Sequence, residues 1–378
     1  MAPSSTTQVL LSPAELSYLH HQLSITPPIR PDGRSPSQFR PLVAETGILP
    51  NTSGSARICF ADGTEAIVGV KAELEKSKWQ PVAGEHGLNL STSGGDAEPD
   101  DEDQDEEGER RGRSSTSQGA GRGEWVEVGI EMPGYRDDDV LPTFLSSMLI
   151  EALLASGELK DRLWINNRFH WKLYVDILLL SQPLSYPLPL LSLTTHLALL
   201  DTRIPKLKSE QDEDPLFDDD WDAASLLYPY SQKNRQRLDR PPITLLVITV
   251  GPNIIFDPSK EELAVAEAVL ALSVCLSSSS TKTGSDSNGT LKLIAIRAID
   301  PPSRLTPPGI PNAVNTGETQ STIEEAFALR ELAAAGSGVW KPPRGGMKGD
   351  LLQSITKSVL KEGGIAEEVL SALVSVQR

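Results

Sequence analysis

Few residues of this chain are placed to do chemistry, and the best of them lie in two short stretches. In Asp257-Pro-Ser-Lys-Glu-Glu262 three carboxylates follow an apolar strand pair, a grouping that could supply a general acid or hold a metal near a scissile bond. Ser259 and Glu262 stand at the spacing of a helix capping box, which accounts for Glu262 without a catalytic duty. The second stretch is Ser181-Gln-Pro-Leu-Ser-Tyr-Pro-Leu-Pro189, between a buried strand and an apolar helix, where free N–H groups and the helix dipole could hold an anion. Three of its nine residues are prolines, which lack the donor; it has no glycine to let the backbone approach a phosphate, and no Arg or Lys. The connection lacks the groups an anion site needs.

The other reactive residues are scattered. His20, His21, His86, His170 and His196 pair at no metal-ligand spacing with a Cys or carboxylate cluster, and His196 falls in an apolar helix pattern that reads as core. Cys59 and Cys275 lie far apart inside apolar patterns, giving neither a disulfide framework nor a metal motif; they read as buried thiols in a reducing compartment. Trp164 and Trp171 flank one turn and read as core rather than as a base-stacking platform. Two solitary arginines remain as candidates for contact with a phosphate group: Arg168 on that turn, and Arg136 in Tyr135-Arg-Asp-Asp-Asp139.

The elements that must position these residues follow from pattern. A capping box, Ser12-Pro-Ala-Glu15, opens a helix to about Leu23 with Leu16, Leu19 and Leu23 on one face. Alternation marks strands from Gly54 to Phe60, Glu65 to Glu73 and Trp125 to Met132, and a helical stripe runs from Val140 to a stop at Gly157. Leu163-Trp-Ile165, a turn, and the strand His170 to Leu180 form a further hairpin, followed by an apolar helix ending near Leu200. A βαβ-like half then begins at Pro241: strand Ile243 to Val250, strand Asn253 to Phe256, a helix from Ser259 to about Leu276, strand Leu291 to Ile299, and closing helices Thr322 to Ala335, Asp350 to Lys361 and Ile365 to Val376.

With 378 residues and 38% hydrophobic content the chain supports roughly two to three domain equivalents. The net charge of −17 is concentrated in ten acids from Asp96 to Glu109 and eight from Glu210 to Asp222, runs without Lys or Arg. The rest is nearly neutral, so the low isoelectric point is no argument against a nucleic-acid partner. Both runs read as solvating segments, with the binding of basic partners as the alternative. Residues Ser91 to Gly123 carry almost no apolar side chain and read as a disordered insertion. The divisions are a leader helix at 1–28, a first domain at 29–205 with the insertion 91–123, an acidic linker at 206–240 and a C-terminal domain at 241–378. No window reaches the ~18 apolar residues of a bilayer span, so an intracellular, soluble chain without a membrane partner is expected.

The leader helix, Ile29-Arg-Pro-Asp-Gly-Arg34, the hairpin at Asp62-Gly63, the Trp171 to Leu180 strand with Asp176, and Asp257-Pro-Ser-Lys-Glu-Glu262 occur in an order that resembles the RNase PH superfamily, and within it the RNase PH-like ring subunits of the RNA exosome. The resemblance spans about Leu10 to Ile299, minus the acidic insertions. It implies an α+β fold of two subdomains of mixed β-sheet packed with helices, related to ribosomal protein S-five domain two. Active members place a Gly-Gly-Thr-Arg type loop where this chain has Ser181 to Pro189, and two Asp six residues apart where it has Asp257 and Leu263. They are Arg-rich where it has Asp137-Asp-Asp139, whose carboxylates repel phosphate. The resemblance therefore implies a non-catalytic structural subunit with no catalytic residue, metal or cofactor. It would support 3′–5′ RNA processing and degradation by threading RNA through the ring pore to a separate nuclease, with Arg136 and Arg168 as its RNA contacts. Implied partners are other RNase PH-like ring subunits, S1/KH cap subunits and the exosome nuclease, in nucleus, nucleolus and cytoplasm. The alternative is a phosphate-dependent 3′–5′ exoribonuclease.

Overall fold

A computed structural model describes residues 11–77, 121–136, 138–209, 213–229, 239–277, 290–306, 309, 340–361 and 363–376. Most of the insertion 91–123, the serine-rich loop 278–289 and the helix expected at 322–335 lie outside the described residues. Two sheets pack on opposite sides of one buried helix. The first has the order β1 (Leu42–Thr46), β2 (Gly54–Phe60), β3 (Glu65–Lys76), β5 (Phe169–Leu179), β4 (Val126–Glu131), in which β5 runs antiparallel to β3 and parallel to β4. Alternation is its cause: Ala56, Ile58, Ala66, Val68, Val70, Leu173, Val175 and Ile177 are buried on one face, while Lys172, Tyr174 and Asp176 point to the other.

On the buried face lie α2 (Val140–Ala155) and α4 (Leu188–Asp201), with the short α3 (Glu158–Arg162) between α2 and β5 in sequence. Helix α4 has no polar stripe because it touches β2 and β3 on one side and β8 (Ile243–Val250) of the second sheet on the other, and only Asp201 at its end escapes burial. Its polar residues are satisfied locally. Thr194 and Thr195 donate to carbonyls one turn back at 2.7 and 2.8 Å, and Ser192 Oγ accepts from Thr244 N at 2.8 Å. Where α4 ends, Thr202 backbone would stand 2.6 Å from a Cβ on residue 54, so only Gly54 fits there.

His196, fully buried in α4, hydrogen-bonds Pro241 O through Nδ1 at 2.8 Å. Burial pulls its pKa down to about 4. Unfolded imidazoles titrate near 6.5, so between these values the unfolded chain binds the extra proton. Stability is then complete above pH 6.5 and falls as pH drops toward 4. Urea unfolding is expected to show a loss of roughly 2–3 kcal/mol between pH 7 and 4.5, flattened in His196→Gln; parallel pH profiles for the two chains would refute it.

The second sheet runs β11 (Thr290–Ile299), β10 (Ala268–Ser277), β8, β9 (Asn253–Phe256), and every neighbouring pair is antiparallel. This corrects the βαβ-like expectation. The capping box at Ser259 is present, but the helix it opens, α5 (Lys260–Leu263), lasts one turn, and Ala268 to Ser277 is a strand rather than a helix. The reason is that the strand is central, paired at its edges with β8 and β11, and buried on both faces: a run such as Ala268-Val-Leu-Ala-Leu-Ser-Val-Cys275 then has no period to read, and β-branched residues settle in the ladder. The hairpin expected at Leu163 reduces to a single bridge, Trp164 to His170. Helices α6 (Gly349–Leu360) and α7 (Ile365–Val376) close the fold.

The leader α1 (Pro13–Ser24) docks on the second sheet through buried Leu16 and Leu23, with the Asn253 amide donating to the carbonyls of Leu23 and Ile25 at 2.8 and 2.7 Å. This docking delivers residues 30–40 to the mouth between the two sheets, where Phe256 N donates to Pro36 O at 2.8 Å.

Candidate functional site

At that mouth the chain brings three arginines of residues 30–40 onto two carboxylates, Asp257 just after β9 and Glu262 in α5. Arg30 is buried and donates from Nε and Nη2 to the two oxygens of Glu262 at 2.7 and 2.8 Å. Its remaining donors reach the carbonyls of Asp257 at 2.9 Å and of Phe256 and Ser35 at 3.2 Å. Glu262 also keeps its capping bond from Ser259 N at 2.8 Å, so one buried carboxylate serves both the helix cap and the guanidinium.

Asp257 is the hub. It sits 2% exposed at the end of β9 with φ of +47°, a left-handed conformation that Asp tolerates better than most residues. Its carboxylate accepts from Arg34 Nη1 at 2.8 Å, from Arg40 Nη2 at 2.7 Å and from Arg40 backbone N at 2.8 Å. Burial pushes this carboxyl up, but the hydrogen bonds and charge of Arg40, aided by Arg34, outweigh it and hold the group below its ordinary value. Arg40 also donates to Asp62 Oδ2 at 2.6 Å and to Ser185 Oγ at 2.8 Å, with its guanidinium 4.7 Å over the Phe60 ring. Arg34 is further held by Asp32 at 2.6 Å.

Ser185 belongs to the proline-rich connection before α4. That connection is pinned at its start as well, where the Ser181 hydroxyl accepts from Glu65 N at 3.1 Å, and Tyr186 is buried. The place where a helix N-terminus could cradle an anion is therefore closed with proline, leucine and tyrosine, and the cation beside it faces carboxylates. Asp32, Asp62, Asp257 and Glu262 outnumber Arg30, Arg34 and Arg40 by one, so the cluster has no positive charge to spare for phosphate or an RNA backbone. A cavity of about 370 Å³ adjoins it, walled by Leu42, Phe60, Leu193 and Leu373, with Arg40 turned to its carboxylates at one end. Among the described residues no three His, Cys, Asp or Glu side chains converge to hold a metal.

Arg136 and Arg168 lie elsewhere. Arg136 is exposed in the turn before α2, where its backbone N donates to Asp139 Oδ2 at 2.8 Å, and its side chain has no ion-pair partner among the described residues. Arg168 precedes β5, lies over Phe169 and pairs with Asp214 at 3.0 Å. The turn of Arg136 follows the β4 end that pairs with Leu178, so the two arginines flank opposite ends of β5, about 30 Å apart along the strand. The structure does not bring them together. Sequence spacing alone does not single out Arg30, Arg34, Arg40 or Asp62; the signal was three arginines within eleven residues around Pro-Asp-Gly, opposite in charge to an aspartate at a strand end.

Known proteins are similar to this chain in sequence. The RNase PH profile, described as 3′ exoribonuclease family, domain 1, covers residues 38–205. The exosome complex component RRP42 of Saccharomyces cerevisiae is 31% identical over 269 residues, which is 70% of this chain and 81% of the yeast protein. The chain belongs to the RNase PH family. The exosome complex component rrp42 of Schizosaccharomyces pombe is 32% identical over 70% of this chain and 78% of its own length. Among solved structures, a chain of an archaeal exosome core aligns over 85% of this chain and 91% of its own at 18% identity, with a TM-score of 0.44. Within the RNase PH family the mixed sheets packed with helices are the expected α+β fold. Among the described residues no helix is long and apolar enough to cross a membrane.

Proposed function

We propose that this chain is a non-catalytic structural subunit of an RNA exosome ring. The observation that carries the reading is the closed arginine–carboxylate cluster: the basic groups at the mouth are all engaged by Asp257, Asp62, Asp32 and Glu262, and the adjoining connection from Ser181 to Pro189 has neither glycine nor cation. A phosphorolytic site needs free cations and an open anion cradle at that position. The similarity to exosome components supplies the assembly half of the proposal. The chain would sit among other RNase PH-like subunits under a cap of S1/KH proteins and pass RNA through the pore to a separate nuclease, in nucleus, nucleolus and cytoplasm. The domain division at 29–205 and 241–378, with 206–240 between, belongs to the same proposal.

Arg136 and Arg168 are the RNA contacts we assign. Arg168 must exchange Asp214 for phosphate, a small step because an exposed ion pair is worth only about 0–1 kcal/mol. Native mass spectrometry of the chain purified from its own cells should find it in a ring with other RNase PH-like chains. The pure subunit should release no nucleoside diphosphate from oligoadenylate at any phosphate concentration, and the assembly carrying Arg136→Ala or Arg168→Ala should bind RNA less tightly with a shallower salt dependence. A solitary chain, or phosphate-driven shortening by it, would sink the proposal.

A further inference from the structure

The described residues of the acidic stretch after α4, 206–209 and 213–226, form a built knob rather than a loose tether. Leu207 bridges Phe217; Lys208 N donates to Leu216 O at 2.7 Å, Leu216 N donates to Ser209 Oγ at 3.2 Å, and Asp218 N donates to Lys206 O at 2.9 Å. Phe217 packs inward on Trp171, ring centroids 5.0 Å apart. The Asn166 amide donates to Glu213 O at 3.2 Å, and Arg168 and Lys208 pair with Asp214 and Asp218. A one-turn helix, Trp221–Ala223, is capped by Asp220 and leads into β7 (Ser225–Leu226), which pairs with β6 (Arg203–Ile204).

On this fixed backbone two large apolar side chains face water: Leu216 is 64% exposed and Trp221 47%. Their register is set by Phe217, whose inward anchoring sends Leu216 outward. Around them Asp219, Asp220 and Asp222 are exposed and have no ion-pair partner among the described residues. Apolar anchors inside an acidic rim complement a polypeptide that carries apolar side chains among lysines or arginines, and they repel a nucleic-acid backbone.

We infer that the knob formed by residues 206–209 and 213–226 is a docking surface for a basic protein segment with interspersed leucine-like side chains, supplied from outside the ring. Leu216 and Trp221 enter its apolar positions, and Asp219, Asp220 and Asp222 face its cations. The inference goes beyond the scaffold role and does not draw on the arginine cluster.

The test uses the purified assembly and a fluorescently labelled peptide of alternating lysine and leucine, with a glutamate–leucine peptide as control. Saturable binding of the basic peptide is expected, weakened by raising salt through the Debye range and about tenfold weaker when Leu216→Ser and Trp221→Gln are combined. Asp219→Lys with Asp222→Lys should weaken it similarly while leaving the apolar anchors in place. Equal binding by wild type and the Leu216/Trp221 variant would overturn the inference, as would equal binding of the glutamate control. Native mass spectra of the same samples separate this from the scaffold reading: if the variant cannot enter the ring, a ring neighbour covers the knob and the inference fails, while the scaffold reading stands.

Discussion

Replacing Glu262 by alanine is expected to cost about 3–5 kcal/mol of unfolding free energy, because it leaves the Arg30 guanidinium buried without its countercharge. Both side chains are fully inaccessible, and the pair is bidentate, so no water can take the carboxylate's place without reopening the mouth between the sheets. The same carboxylate also accepts from Ser259 N, so a capping contribution of about 1 kcal/mol is lost with it. Arg30→Met should cost a comparable amount from the other side. Because the two residues act as a unit, Arg30→Met with Glu262→Leu should cost clearly less than the two single losses added. Equilibrium urea unfolding reads all three; a Glu262→Ala loss under about 1 kcal/mol would show that the pair contributes little.

The second expectation concerns the hub. Asp257→Ala should destabilise the chain by about 3 kcal/mol or more, since Arg34 and Arg40 lose their shared carboxylate and alanine at φ +47° is strained. It is therefore a poor test of catalysis. Asp257→Asn keeps the shape and the left-handed tolerance while removing the charge, and with it the RNA decay activity of the whole assembly should be unchanged. The acid limb of stability should respond as well. The carboxyl is held below its ordinary value of 3.8, so its contribution is complete above pH 3.8 and is lost as pH falls through the lower folded value. Asp257→Asn should lack that limb. Lost RNA decay in an assembly that still contains Asp257→Asn would make Asp257 a participant in chemistry, and the scaffold reading would fall.

Much of this was legible in sequence where one face of an element meets the core and the other meets water. Strands β2, β3 and β5 alternate cleanly, α1 carries both halves of its capping box, and α7 begins and ends where its stripe does. The silence of Ser181 to Pro189 could also be read directly, because prolines and missing glycines act locally on donors and φ angles. Tertiary structure decided the rest. Ala268 to Ser277 became a strand because β8 and β11 pair with both its edges, while burial of both its faces erases the period that separates helix from strand. The meeting of Arg30 with Glu262, and of Arg40 with Asp257, joins residues more than two hundred positions apart. A charge carries no label for its partner: Coulomb attraction is nonspecific until packing of α1 on the second sheet removes the water and fixes which carboxylate each guanidinium faces.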